Sequence, residues 1–188
     1  VIGAKAADLF AAELGVELAG PLEEKTQRYL GLNGTLCGLS KVAVQPVWAR
    51  EDTSPYGRLH VDNDSSFPST PAATIAPLGQ GRIAGVYYSF GERYVRGQTA
   101  LAREFLGGLA RELFPLPAVE VRGSHALDVV LNRKDGHLAL NLVNTSGPHA
   151  NRDVYTYDEI PPTGKLEILL RLPARPRIVQ LQPGDRKV

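Results

Sequence analysis

The sequence predicts two structural parts, an α/β region over residues 1–116 and a small antiparallel β region over residues 117–188. The first is indicated by a strand, a loop and a helix over residues 79–114, together with a second helical pattern near the start of the chain. The second is indicated because no helical period follows Leu116, while short apolar runs alternate there with turn residues.

The clearest pattern lies just before Pro115. Residues 83–88 are a short apolar run rich in β-forming residues, and the glycine turn at Gly79 precedes them. From Leu101 apolar residues recur at every fourth position, which predicts an amphipathic helix with Thr99 as its N-cap. A strand followed by a helix that packs back on it is half of an α/β unit.

The start of the chain reads as the end of a strand. Val1, Ile2 and Gly3 run directly into a helical pattern over residues 4–14, and the chain contains no methionine. The sequence therefore predicts that the chain is a fragment, from a truncated or processed protein, and that it opens with the second half of a βα unit.

The middle of the first part gives weaker patterns. Residues 20–40 mix apolar and charged residues with three interrupting glycines and indicate no definite element. Residues 42–48 resemble a strand that is at an edge or bulged, because Pro46 lies within it. The polar residues 51–71 are expected to be a solvated loop, and residues 72–76 a strand that forms a hairpin through the Gly79 turn.

The second part is expected to be an antiparallel β-sandwich. Residues 127–144 read as a hairpin around Gly136, with Leu138, Leu140 and Leu142 on one face of its second arm. Further short strands are expected at residues 119–121, 166–172 and 177–181.

Composition narrows the classes of function. A net charge of +1 gives no support to nucleic-acid binding. The apolar runs are far shorter than a membrane span, so the sequence predicts a soluble protein without a membrane partner and favours the cytoplasm. The four histidines lie in no metal-binding motif, and no cofactor or metal is expected. The single cysteine, Cys37, lacks a catalytic signature and is better explained as an inert buried thiol.

Two arginines flank a tyrosine in the loop between the predicted strand and helix. Arg93 and Arg96 are candidates for binding an anion or a carboxylate. The alternative is that they form surface ion pairs with Glu92 or Glu104, and the sequence favours that alternative because surface charges usually have structural roles.

Two phrases near the end of the chain carry a family resemblance. They are L-V-N-x-[ST]-G at residues 142–147 and I-P-P at residues 160–162. With residues 71–114 and the rest of 119–188, they resemble the C-terminal region of large bacterial glycoside hydrolases. In those proteins an α-L-fucosidase-like or family-42 β-galactosidase-like barrel precedes a flavodoxin-like domain and a small β-domain. The resemblance covers residues 15–68 only weakly.

The resemblance implies a non-catalytic role. The first part would be a partial flavodoxin-like, three-layer domain of the class I glutamine amidotransferase type, called the trimerisation domain in the galactosidases. The catalytic (β/α)8 barrel would lie upstream, so no catalytic residue is assigned here. The expected role is accessory or oligomerising, with the upstream barrel and further copies of the chain as partners.

Two other functions remain open. One is a carbohydrate-binding module, since sugars stack on exposed aromatic rings and bond to polar neighbours; its candidate residues are Trp48, Tyr94, Asn144, His149, Asn151, Tyr155 and Tyr157. A buried strand and its loop also explain the same C-terminal residues, and the sequence favours that explanation over the binding module. The other is a free-standing amidotransferase-like or hydrolytic enzyme that uses Cys37 or a histidine, which the sequence favours least.

Overall fold

The computed structural model describes residues 1–97, 99–147, 160–184 and 186–187. The chain forms two compact units, Val1–Pro115 and Leu116–Val188. The division falls at Pro115, directly after the longest helix of the described residues ends. Proline cannot continue a helix because it lacks the backbone N–H group.

The described part of the first unit has three helices and seven strands. They are α1 (Ala6–Phe10), β1 (Val16–Leu18), β2 (Glu23–Leu32), β3 (Thr35–Val44), β4 (Val47–Ala49), β5 (Ser54–His60), β6 (Ser69–Leu78), β7 (Gly81–Val86), α2 (Phe90–Gly97) and α3 (Ala100–Leu113). Strands predominate, so the unit is mainly β, with one short helix before the sheet and two helices after it.

Five of these strands form one sheet in the order β3-β2-β5-β6-β7, and every neighbouring pair is antiparallel. The turn between β2 and β3 is Asn33-Gly34, whose φ angles of 49° and 78° suit a two-residue hairpin turn. Gly79 has φ 57° at the turn between β6 and β7. The predicted hairpin through Gly79 is therefore confirmed.

The first residues of the chain extend along β7. Ile2 forms a parallel bridge with Val86, whose backbone N–H donates to the carbonyl of Val1 over 2.9 Å. The N–H of Gly3 donates in turn to the carbonyl of Val86 over 3.1 Å. Residues 1–3 thus have strand-like pairing, as their apolar sequence indicated.

The predicted partial flavodoxin-like, three-layer α/β fold is wrong. That fold needs a parallel sheet between helices, whereas the described strands form a curled antiparallel sheet with few helices. Residues 20–40, which gave no definite pattern, contribute most of the β2–β3 hairpin, and β5 lies within the predicted loop 51–71. The predicted helix over residues 4–14 is reduced to the five residues of α1.

Charged residues explain why β2 was missed. Its first residues are mostly exposed and its last ones are buried, because one face of an antiparallel sheet can face water. The charges at Glu23, Glu24 and Lys25 therefore conceal a strand whose end at Leu30 and Leu32 reaches the core.

The main core of the first unit lies between the sheet and α3. Phe105 is fully buried at its centre, and its ring lies 5.5 Å from Tyr56, 6.0 Å from Tyr88 and 6.0 Å from Phe90, measured between centroids. The predicted amphipathic helix is confirmed, since Ala102, Phe105 and Leu109 are its buried residues. Its predicted N-cap is confirmed as well, because Thr99 Oγ1 accepts from the N–H of Ala102.

A second, smaller core lies beside the first. It consists of Ala6, Ala7, Leu14, Val16, Val47 and Tyr87. Tyr87 and Tyr88 are consecutive, yet Tyr87 belongs to this cluster and Tyr88 to the main core. The alternation of an extended backbone places neighbouring side chains on opposite faces, so one dipeptide joins the two cores.

The described part of the second unit contains only two-stranded antiparallel ladders. Its strands are β8 (Val119–Arg122), β9 (Leu127–Lys134), β10 (His137–Asn144), β11 (Glu167–Leu170), β12 (Gln180–Leu181) and β13 (Arg186–Lys187). They pair as β9–β10, β8–β11 and β12–β13. The predicted hairpin is confirmed, with Asp135 and Gly136 at φ 50° and 79° in its turn.

The predicted β-sandwich is not formed by these residues. A sandwich buries the inner faces of two sheets, but no described residue of the second unit is buried. Leu140 and Leu142 are half-buried on one side of β10, and Asn141 and Val143 are exposed on the other. The alternation was therefore read correctly, but no sheet of the described residues buries that face.

Among the helices of the described residues, none is long and apolar enough to span a membrane.

Candidate functional site

Two features of the first unit involve residues that the sequence singled out. The first is an exposed tryptophan on the short ribbon of β1 and β4. Trp48 lies opposite Glu17 in the antiparallel register, so both side chains project from the same face. Trp48 is 59% exposed, whereas Val16 and Val47 on the same ribbon are fully buried. The buried valines fix the ribbon, and the indole ring is left in water.

Polar groups surround the indole ring. Trp48 lies in an open depression together with Glu17, Ala49, Arg50, Glu51 and Asp52. Arg50 Nε lies 3.6 Å from Glu17 Oε1, and both side chains are largely exposed. Because a surface ion pair holds little free energy, both partners remain available to a ligand. The arrangement offers an apolar ring with hydrogen-bond donors and acceptors at its rim.

The second feature is a small cavity of about 20 Å³ between the sheet and the helices. It is lined by Gly38, Leu39, Tyr88, Phe90, Arg93, Tyr94, Gly97, Thr99 and Ala102. These residues come from β3, from the segment after β7, from α2 and from the first turn of α3. The cavity therefore depends on the packing of parts that are distant in sequence.

Two polar atoms at this cavity have no partner among the described residues, namely Tyr88 Oη and Arg93 Nε. Tyr88 is 1% exposed, and burial raises the pKa of its hydroxyl far above the ordinary value, with a further contribution from the nearby Cys37. Cys37 Sγ lies 3.8 Å from Thr99 Oγ1, which places the thiol beside the start of α3. The tyrosine is thus held neutral as a hydrogen-bond donor.

The two candidate arginines have different surroundings. Arg96 pairs with Glu92 over 2.9 Å at the surface, as the ion-pair interpretation expected. Arg93 is half-buried and forms no ion pair with a carboxylate of the described residues. Tyr94 stacks on Phe90 with ring centroids 5.7 Å apart and planes 9° apart. One face of Tyr94 is therefore occupied, which limits it as a platform for a sugar.

Asn144 has a structural role in the second unit. Its Nδ2 donates to the carbonyl of Pro161 over 2.8 Å, and its Oδ1 accepts from the N–H of Ser146 over 2.9 Å. The two phrases that carry the family resemblance are thus joined by one side chain. The other candidates of this part, His149, Asn151, Tyr155 and Tyr157, lie outside the described residues.

The groups needed for cysteine or metal chemistry are not gathered in the described part of the chain. Cys37 is half-buried, and its thiol contacts Gly38 O and Thr99 Oγ1 rather than a histidine. His60 is buried, with Nδ1 lacking a partner in the same residues. No three His, Cys, Asp or Glu side chains are placed together to hold a metal ion within the described ranges.

Sequence reasoning missed two residues of these features. Tyr88 was assigned only to a strand, and Glu17 was not singled out. Glu17 lies opposite Trp48 only because β1 and β4 pair across about thirty residues, and no local pattern indicates that pairing. No signal in the sequence links Tyr88 to Arg93, since the cavity that both line is completed by residues of β3 and of the start of α3.

Comparisons with family models, with curated proteins and with solved structures found no match for this chain.

Proposed function

We propose that this chain is a non-catalytic accessory region of a glycoside hydrolase and that it holds carbohydrate on the surface around Trp48. The parentage rests on the resemblance of residues 71–114 and 119–188, above all on the two phrases at residues 142–147 and 160–162. The antiparallel fold does not supply the flavodoxin-like trimerisation domain, so an accessory role must rest on another feature. That feature is the exposed tryptophan.

The observation that carries the binding role is the exposure of Trp48. It is 59% exposed although its ribbon is anchored by buried valines. A large ring fixed in water on a rigid strand loses little conformational entropy when a ligand covers it. Glu17 lies beside the ring and supplies a hydrogen-bond acceptor, and Arg50, which pairs with Glu17, supplies donors. Sugar hydroxyl groups require both kinds of partner.

Binding is tested by titrating the chain with oligosaccharides while its fluorescence is recorded. Trp48 is the only tryptophan, so any change in indole emission reports on this surface. We expect a saturable change for the correct sugar, and in a glycan array we expect Trp48→Ala to bind about tenfold more weakly, which corresponds to about 1.4 kcal/mol.

A matched control is Phe67→Ala, which removes another exposed aromatic ring, 48% exposed, from a distant loop. It should bind like the wild type. Equal affinities for the wild type and for Trp48→Ala, or no binding to any glycan, would contradict the binding role. The parentage is tested separately by reading the natural coding sequence upstream of Val1. A (β/α)8 barrel there is expected, and a start codon within a few codons of Val1 would contradict it.

Assembly is a second candidate role, favoured by apolar side chains exposed near α1. Ile2, Leu9, Phe10 and Leu18 are 54%, 74%, 39% and 50% exposed. Leu9 and Phe10 belong to α1. Ile2 lies in the segment that pairs with β7, and Leu18 lies in β1, which pairs with β4. If these side chains form one contiguous patch, that patch would be typical of surfaces that join copies of a chain.

Light scattering coupled to size-exclusion chromatography tests this second role. A homo-oligomer is expected, and Leu9→Glu should dissociate it. Val95→Glu is the control, because Val95 is 69% exposed on α2 and lies away from α1. A monomeric wild type would exclude self-assembly through this surface without affecting the carbohydrate proposal.

A further inference from the structure

The cavity between the sheet and the start of α3 contains two buried donors without an acceptor. An arginine side chain only donates and stays charged, and a neutral tyrosine hydroxyl is a donor as well. Leaving such a group buried and unpaired destabilises the fold, so each one needs an explanation. Tyr88 Oη and Arg93 Nε line the same space, and therefore one acceptor can satisfy both.

Two acceptors near the cavity already have partners. Thr99 Oγ1 accepts from the N–H of Ala102 over 3.4 Å and lies 3.8 Å from the thiol of Cys37. Glu92, the acidic residue of the first turn of α2, is paired with Arg96. The charge of Arg93 thus has no compensating carboxylate among the described residues.

The electrostatic field in the cavity favours a negative charge. α3 is fourteen residues long, and its N-cap Thr99 and its first-turn residue Ala102 both line the space. The N-terminus of such a helix carries about half a positive elementary charge. The guanidinium of Arg93 adds to this field, and partial burial strengthens both contributions because less water screens them.

We propose that this cavity binds a small monovalent anion, either a halide ion or the carboxylate group of a larger ligand. About 20 Å³ of this partly open cavity can hold the centre of a water-sized group, which is enough for a small anion. One guanidinium and one helix end suit a single negative charge. The site goes beyond the proposed carbohydrate surface and does not depend on it, since Trp48 does not line this space.

Chlorine-35 NMR tests the site on the intact chain in chloride-free buffer. Chloride is added in steps, and the excess line width is followed. We expect a saturable excess for the wild type. Arg93→Gln should weaken it about tenfold or more, the contribution of a hydrogen bond to a charged group. Tyr88→Phe should weaken it to a lesser extent. Arg96→Gln is the matched control, because it removes the neighbouring arginine that is already paired at the surface.

Adding acetate to the chloride-loaded chain shows whether the cavity accepts a carboxylate group as well as a halide ion. If acetate narrows the line, the cavity accepts a carboxylate group; if it does not, the site is specific for a halide ion, and both results support an anion site. A wild type without saturable broadening, or an Arg93→Gln variant that broadens the line as the wild type does, would show that the cavity holds only water. Tyr88→Phe serves as the test variant if Arg93→Gln does not fold, because it removes one of the two donors and keeps the ring; a Tyr88→Phe variant that broadens the line as the wild type does would contradict the site.

Discussion

Gly57 and Phe105 lie so close that no side chain fits between them. A Cβ atom added to Gly57 would lie 2.9 Å from Cε2 of Phe105 and 3.3 Å from the carbonyl oxygen of Gly31. Gly57 also has φ 62°, in the left-handed region. The glycine thus allows the central ring of the main core to rest directly on the backbone of β5.

We expect Gly57→Ala to destabilise the first unit by more than the strain of its backbone angle alone. The left-handed conformation costs about 1–2 kcal/mol for a residue with a Cβ atom, and overpacking against Phe105 adds about 1–3 kcal/mol. Urea denaturation followed by circular dichroism measures the loss. Gly79→Ala is the matched control, since its φ is 57° and nothing lies within 4 Å of its added Cβ. Equal losses for the two variants would show that the ring exerts no steric constraint.

Phe105→Ala should cost about 3–5 kcal/mol of unfolding free energy, because it empties the centre of a close-packed core. Phe114→Ala removes the same atoms from a ring that is 72% exposed, and we expect a change within about 0.5 kcal/mol. Denaturation midpoints of the two variants give the comparison. If Phe105→Ala lowered the unfolding free energy as little as Phe114→Ala does, α3 could not pack on the sheet through Phe105 as described.

Thr99→Ala should destabilise α3 by about 1 kcal/mol, because the threonine hydroxyl caps the first turn of the helix. Thr99→Ser keeps the capping oxygen and should retain most of that stability. Thermal melting followed at the helical band measures both variants. If the Thr99→Ser variant melted at the same temperature as the Thr99→Ala variant, the hydroxyl would not be capping the helix.

Stability should fall in alkaline solution, and Tyr88 should contribute to the fall. Burial raises the pKa of its hydroxyl above the ordinary value of 10.0, so the unfolded chain releases the proton at a lower pH than the folded one. The contribution of Tyr88 is therefore complete below pH 10.0 and is lost as the pH rises above it, with a slope approaching about 1.4 kcal/mol per pH unit.

Urea denaturation from about pH 8 to about pH 11 measures this slope across the ordinary tyrosine range. Tyr88→Phe removes the ionisable group and keeps the ring, so its stability should decline less steeply above pH 10.0. Parallel curves for the wild type and the variant over the whole range would contradict the role of Tyr88.

Local patterns predicted the elements that are determined locally. The period from Leu101 and the capping residue Thr99 were sufficient for α3, and the turn residues were sufficient for the hairpins at Gly79 and Gly136. The five-stranded sheet was missed because no local sequence pattern indicates which of its strands pair. Charges at the start of β2 hide its apolar end, and a polar stretch proved to contain β5.

In the candidate site, too, the sequence identified residues but not the surroundings that packing gives them. Arg93 and Arg96 are three residues apart in one helix, and the sequence gives no reason to separate them. Packing separates them, because Arg93 turns toward the cavity lined by β3 and α3 while Arg96 stays at the surface with Glu92. The exposure of Trp48 depends on which face of its ribbon the buried valines occupy, and that is settled only by the fold.

Because Tyr87 and Tyr88 lie in different cores, the chain can tolerate few insertions or deletions near them. Inserting or deleting one residue within β7 or just after it would exchange the faces of both rings, sending each into a space shaped for other neighbours. Substitutions in this stretch alter one contact at a time, but a single-codon insertion or deletion disturbs both cores together. We therefore expect natural variants of this protein to differ in length in the loops between strands and to keep the spacing from Gly81 to Phe90 constant.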